Sequence, residues 1–200
     1  MKNFINTKNI LMLATAISVV GASSAYAETI TGNGSVVVQN SLTIVEDTPL
    51  SFGTIVAVAD DNGTAPLSSN IVMGVDGVAT ITNAASLAQI IQITPGSNAQ
   101  FTVSGAAPQT LLTVTTPAGA TTLADPSGSV ETKVFDISAY TSGVVAGGGA
   151  GFDMTTDDTG TLVFAVGATL TTDTAGAGTG AADPYADLTY TGTYSVTVAY

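Results

Sequence analysis

The chain has no cysteine, no histidine and no tryptophan, and only three of its 200 residues are basic. Each absence removes a class of chemistry. Without cysteine there is no disulfide framework and no thiol nucleophile. Without histidine as well, there is no zinc site of the usual nitrogen and sulfur ligands and no imidazole base. Fifteen acidic residues against three basic ones give a formal charge of −12. Such a surface repels phosphate rather than neutralising it, which argues against nucleic acid as a partner. Charged residues make up 9% of the chain and apolar ones 45%, the reverse of a charge-rich disordered sequence.

Two of the three bases, Lys2 and Lys8, stand before an apolar run from Ile10 to Val20, and small residues then lead to Ala25-Tyr26-Ala27. A basic start, an apolar centre and an A-x-A site are the parts of a secretory signal peptide, cut after Ala27. At 11 residues the run is too short for a membrane anchor, which needs roughly 20. The sequence thus divides into a signal peptide, residues 1–27, and a single exported domain, residues 28–200. Removal of the signal leaves all 15 acids with Lys133 as the one base, a net −14. That charge keeps an apolar, threonine-rich chain in solution and repels anionic lipid. The expected location is the periplasm in transit and then the cell surface. With no cysteine, packing and strand pairing alone must hold the domain, and a chain of this length can bury roughly 70% of its unfolded surface in one core.

No stretch of ten residues shows clean helical periodicity. The nearest, Asn83 to Ile91, runs into the β-branched Ile90-Ile91-Gln92-Ile93-Thr94. Segments rich in Val, Ile and Thr recur instead between Gly, Pro, Asn and Asp. Strands are expected at 35–45, 50–58, 70–73, 78–82, 89–94, 100–104, 110–115, 130–137, 161–170 and 188–200. Asp76-Gly77 and Asn62-Gly63 read as two-residue hairpin turns, and long loops are expected over 138–160 and 171–187. The fold class is all-β: an immunoglobulin-like or pilin-like sandwich of about ten short, mainly antiparallel strands. Phe52, Phe101, Val103, Val163, Val196 and Val198 alternate with polar neighbours and are expected to point inward.

Catalytic and metal-binding patterns are weak. Asp60-Asp61-Asn62-Gly63 and the group Asp153, Asp157 and Asp158 offer oxygens to calcium, but neither has the spacing of a calcium loop, and Asp beside Gly is an ordinary turn former. Gly147-Gly148-Gly149-Ala150-Gly151 lacks the Lys and the following helix of a phosphate cradle. Paired acids would need aromatic platforms to work on a sugar, and the exported part keeps only five Phe and five Tyr. Serine is plentiful, but Lys133 is the only side chain left that could serve as its base. The sequence reads as non-enzymatic, with no cofactor.

The two ends carry the functional signal. From Tyr190 to Tyr200 the alternation is strict: Tyr190, Tyr194, Val196, Val198 and Tyr200 share one face, and Thr191, Thr193, Ser195, Thr197 and Ala199 the other. A terminal alternating strand closed by an aromatic residue is found in outer-membrane barrels and in pilus subunits whose last strand is read by a periplasmic chaperone. At the other end Ile30, Gly32, Gly34, Val36 and Val38 also fall on one face. An alternating arm, residues 28–38, is what strand donation to a neighbour's sheet edge requires. The same residues serve equally as the chain's own first strand, and both readings stay open.

Leu50-Ser51-Phe52-Gly53-Thr54-Ile55-Val56, Phe101-Thr102-Val103-Ser104-Gly105, Val166-Gly167-Ala168-Thr169-Leu170 and the ending from Tyr190 to Tyr200 resemble the bacterial domain of unknown function 4402 family. The resemblance implies a secreted Gram-negative β domain and brings no catalytic residues. More distantly, the order of signal, arm, L-x-F-G motif and closing strand is similar to spore coat U-type chaperone–usher pilins. Leu50, Phe52 and Gly53 fill the first motif, and Gly192, Tyr194, Val198 and Tyr200 the second. The chain departs from that class in having no cysteine and in carrying Gly32 and Gly34 in the arm. The pilin resemblance implies a fimbrial subunit assembled by strand donation. Its contacts would be Ile30, Val36, Val38, Tyr194, Val196, Val198 and Tyr200. Its partners would be other copies of itself or related subunits, a periplasmic chaperone and an outer-membrane usher. A free-standing surface module that binds a ligand is the alternative. A small outer-membrane barrel fits worse, since segments such as Ile90-Ile91-Gln92-Ile93 do not alternate.

Overall fold

The computed structural model describes residues 28–36, 38, 41–60, 67–85, 87–128, 133–147, 153–174 and 182–200. The signal peptide and the Asn62-Gly63 turn lie outside them. The chain divides into two units, Met1–Val37 and Val38–Tyr200. In the first, the described residues 28–36 form no helix or strand.

The second unit is all-β, with no helix among the described residues and twelve strands. In order they are β1 (Thr43–Thr48), β2 (Thr54–Asp60), β3 (Asn70–Met73), β4 (Ala79–Thr82), β5 (Gln89–Thr94) and β6 (Ala99–Ser104). There follow β7 (Thr113–Thr115), β8 (Thr121–Leu123), β9 (Phe135–Ala146), β10 (Leu162–Thr172), β11 (Ala182–Pro184) and β12 (Thr197–Ala199). Every ladder is antiparallel.

β10 organises the larger layer. Along one edge it pairs β6 from Leu162 to Val166 and then β3 from Ala168 to Thr171. β9 runs along its other edge from Val163 to Thr172. β1, β4 and β8 complete a seven-stranded sheet by pairing β6, β3 and β9. The opposite layer is made of two smaller sheets, β11-β2-β5 and β12-β7.

Burial follows from this arrangement. Alternate residues of a strand share a face, so Leu162, Phe164, Val166, Ala168 and Leu170 line the inner side of β10, and all are buried. The last two join Phe52, Ala57, Ile71, Met73, Ile90, Phe135 and Ile137 in one cluster under β2 and β5. The first three join Ala99, Phe101, Val103, Ala106 and Leu112 in a second cluster, over which Val114 of β7, Val198 of β12 and Val196 just before it pack. Leu50 and Tyr140 touch both clusters. Phe101 and Phe164 are paired in register and stack with ring centroids 5.3 Å apart.

Phe52, Phe101 and Val103 are buried as expected. Val163 is not: it pairs with Thr102, so the same alternation that turns Phe164 inward turns Val163 outward. Val196 and Val198 are half-buried.

The hairpin at Asp76-Gly77 exists, but in a different form. Gly77 N–H donates to Gly74 O and Gly74 N–H to Val78 O, so the loop has three residues and only Gly77, at φ 77°, is left-handed. That is a tight turn followed by a glycine bulge rather than a two-residue turn. The segment after β4 forms no helix. Instead the Asn83 side chain accepts from Ile90 N–H at 2.7 Å and donates to Ile90 O at 3.1 Å, standing in for a strand partner.

Three expected boundaries are corrected. The first strand starts at Thr43, not at residue 35. The expected loop 138–160 holds the second half of β9 through Ala146. The expected loop 171–187 holds the end of β10 and all of β11.

Candidate functional site

No group of three or more acidic side chains placed to hold a metal ion occurs among the described residues. The acids singled out in the sequence have local duties. Asp157 Oδ1 accepts from Thr159 N–H, Thr159 Oγ1 and Thr161 N–H within 2.9 Å. Those bonds, the Thr161 N–H foremost, hold its carboxyl below the usual carboxylate range. Asp158 accepts from Gln109, and Asp60 accepts from Leu67 N–H. Lys133 pairs with Asp183 at 3.1 Å. These are turn-forming and strand-tying contacts.

The candidate site is a gap in the split layer. β11 covers β2 only from Val58 to Asp60, after which Tyr185 N–H donates to Ala57 O. The β2 edge from Thr54 to Val56 therefore has no ladder partner on that side among the described residues. On the far bank, the C-terminal stretch touches the large sheet at Thr191, which exchanges backbone hydrogen bonds with Ala124. It does not enter a ladder until Thr197. The single strand expected over 188–200 is thus reduced to Thr197–Ala199. Residues 192–196 run along the channel without a ladder partner among the described residues.

That channel has two chambers. The larger, about 1020 Å³, runs between Leu50–Ala57 and Pro184–Gly192, with Leu123, Phe135, Ile137 and Leu170 of the large sheet in its lining. The smaller, about 420 Å³, lies beside edge strand β1 and is lined by Ile44, Glu46, Pro49, Phe101, Thr193 and Val196. Their linings meet at Leu50, Gly192 and Tyr194.

The L-x-F-G stretch shapes the near bank. Ser51 and Ser97 exchange backbone hydrogen bonds, which sets Phe52 into the core. Gly53 then turns the chain at φ 77°, where a side chain would collide with the Thr94 carbonyl oxygen. Gln92 Nε2 donates to Phe52 O at 3.1 Å and fixes the corner.

Aromatic rings gather on the far bank. Phe135 stacks on Tyr185 at 4.1 Å and meets Tyr190 edge-on at 5.1 Å. Tyr185 is anchored at its hydroxyl, which donates to Val134 O and accepts from Asp173 N–H. Tyr140 and Tyr194 lie ring to ring at 5.4 Å, and the Tyr194 hydroxyl is buried without a hydrogen-bond partner. Burial, then the Glu46 charge, then Tyr140 push the Tyr194 hydroxyl well above the ordinary tyrosine value. Tyr140 and Tyr185 fall in segments expected to be loops, so sequence reasoning missed both. Their aromatic character inside Gly- and Thr-rich stretches was the available signal.

The residues expected to mediate assembly separate into two sets. Tyr194 and Val196 line the channel, and Val198 packs on the second cluster from β12. Tyr200, 55% exposed, lies beyond the last ladder. Ile30, Val36 and Val38 are exposed at 92, 84 and 72%.

Among known protein families, the model described as a domain of unknown function (DUF4402) matches residues 42–200. No curated protein and no solved structure matches the chain.

Proposed function

This chain belongs to the DUF4402 family, and we propose that it is a non-enzymatic exported structural subunit of a fimbria-like fibre on the Gram-negative surface, assembled by strand donation. The observation that carries the proposal is the open channel between the Leu50–Val56 bank and the unladdered residues 192–196. Unpaired edges beside an apolar floor invite an added strand, with backbone hydrogen bonds for affinity and alternate side chains for specificity. The alternating arm, residues 28–38, with Ile30, Val36 and Val38 exposed, has the composition for that task. A periplasmic chaperone that fills the channel before assembly, and an outer-membrane usher, complete this reading.

The test is the association state of the mature chain. Multimers that grow with concentration are expected for residues 28–200, and deletion of residues 28–39 abolishes them. Val36→Asp or Val38→Asp has the same effect, because burying an unpaired carboxylate costs several kcal/mol. A wild-type chain that stays monomeric and ignores added arm peptide would overturn the proposal. The second reading, a free-standing binding module, is favoured by the gathering of Phe135, Tyr185 and Tyr190 at the channel. It expects a monomer whose channel takes a small ligand instead of a strand.

A further inference from the structure

We infer that the channel takes the arm of a second copy in a register fixed by two glycines: Gly32 and Gly34 pass the constriction at Tyr194, with Ile30 in one chamber and Val36 and Val38 in the other. This inference rests on the strand-donation reading above.

The channel is not uniform. Its chambers are separate volumes that share only Leu50, Gly192 and Tyr194 in their linings. A strand threading both must therefore cross a waist flanked by the Leu50 side chain and the Tyr194 ring. In an extended arm the residues facing the channel are every second one, and here they read Ile30, Gly32, Gly34, Val36, Val38. Bulk stands at both ends and none in the middle. Glycine weakens a strand by its entropy and by packing nothing, so two on the buried face of an arm need a reason. Close approach of another group to the backbone is that reason, and the waist supplies it.

One further observation agrees. The arm is uncharged from Thr29 to Val38. In a chain with a net charge of −14 after signal removal, an uncharged segment avoids the repulsion that Glu46 and Asp187 on the channel wall impose on acidic ones.

The test uses a fluorescent peptide of residues 28–39 titrated against the mature chain, read by anisotropy. Gly32→Val and Gly34→Val in the peptide are expected to weaken binding about tenfold or more, since a β-branched side chain at a packed waist is overpacked. The sign is decisive: without a constriction, valine is the better strand former and buries more surface, so the same changes would tighten binding. Ser35→Val, on the opposite face of the arm, should alter affinity less than about threefold, as surface changes do. Removing the ring with Tyr194→Ala in the protein should restore the Gly34→Val peptide to within about threefold of wild type, the coupling expected of residues in contact. If that variant fails to fold, Leu50→Ala opens the same waist. A wild-type peptide that binds while both valine peptides bind as well or better overturns the register and leaves strand donation standing. A wild-type peptide that does not bind at all overturns both.

Discussion

Two stretches of this chain have the same length and turn every second large side chain inward, Leu162–Thr172 and Tyr190–Tyr200, yet they end in opposite conditions. β10 is paired along both edges, and its inner residues from Leu162 to Leu170 are buried. The C-terminal stretch keeps the same alternation, with Tyr194, Val196 and Val198 turned towards the core and their neighbours exposed. Its burial nonetheless stops halfway, at Val198 within the ladder as at Tyr194 and Val196 before it. Alternation states which face of a strand goes in. Whether that face is fully covered depends on what lies alongside, and beside residues 192–196 the place is open.

The sharpest challenge to this contrast is truncation of matched residues. Phe164→Ala removes a fully buried ring and should cost about 3–5 kcal/mol in urea unfolding. A cost near 1 kcal/mol would mean that β10 is no better enclosed than the chain end. Tyr194→Phe should instead stabilise the isolated chain by about 1–2 kcal/mol, since it deletes a buried hydroxyl that has no partner. The same residue sets a pH dependence. Its folded-state value is raised, so the unfolded chain ionises first, near pH 10. Stability is therefore level at neutral pH and falls as the pH climbs past about 10, less steeply in the Phe variant. Val196→Ala, at a half-buried site, should cost only about 1 kcal/mol. A loss equal to that of Phe164→Ala would erase the difference between the two stretches. The smallest effect is expected at Ala139, which is left-handed at φ 49°. Ala139→Gly relieves that strain and should raise the melting temperature slightly, by a gain of about 0.5–1 kcal/mol.

Ala139 also explains where the sequence was hard to read. In β9, Ala139 and Tyr140 together face the single residue Ala168, a bulge that moves the inward face from Phe135 and Ile137 to Tyr140 and Val144. A strand whose parity changes midway shows no continuous alternation, which is why its second half reads as loop. β8 and β11 are three residues each and are recruited by their neighbours, with no pattern of their own. By contrast, β3 and β5 are bounded by turn residues and agree with expectation to the residue. The C-terminal end was legible as a face. The channel was not, because it is made of residues absent from a ladder, and pairing is a property of neighbours distant in sequence.

The arrangement around β10 has a mechanical consequence. β6 and β3 meet end to end along one of its edges, and β9 spans the seam on the other, as a batten spans two boards. Tension that would pull the β6 end from the β3 end acts along the strands, while the ladder bonds lie across them. It must therefore shear many bonds together instead of opening them one at a time. A domain built this way resists stretching along β10 as a single piece.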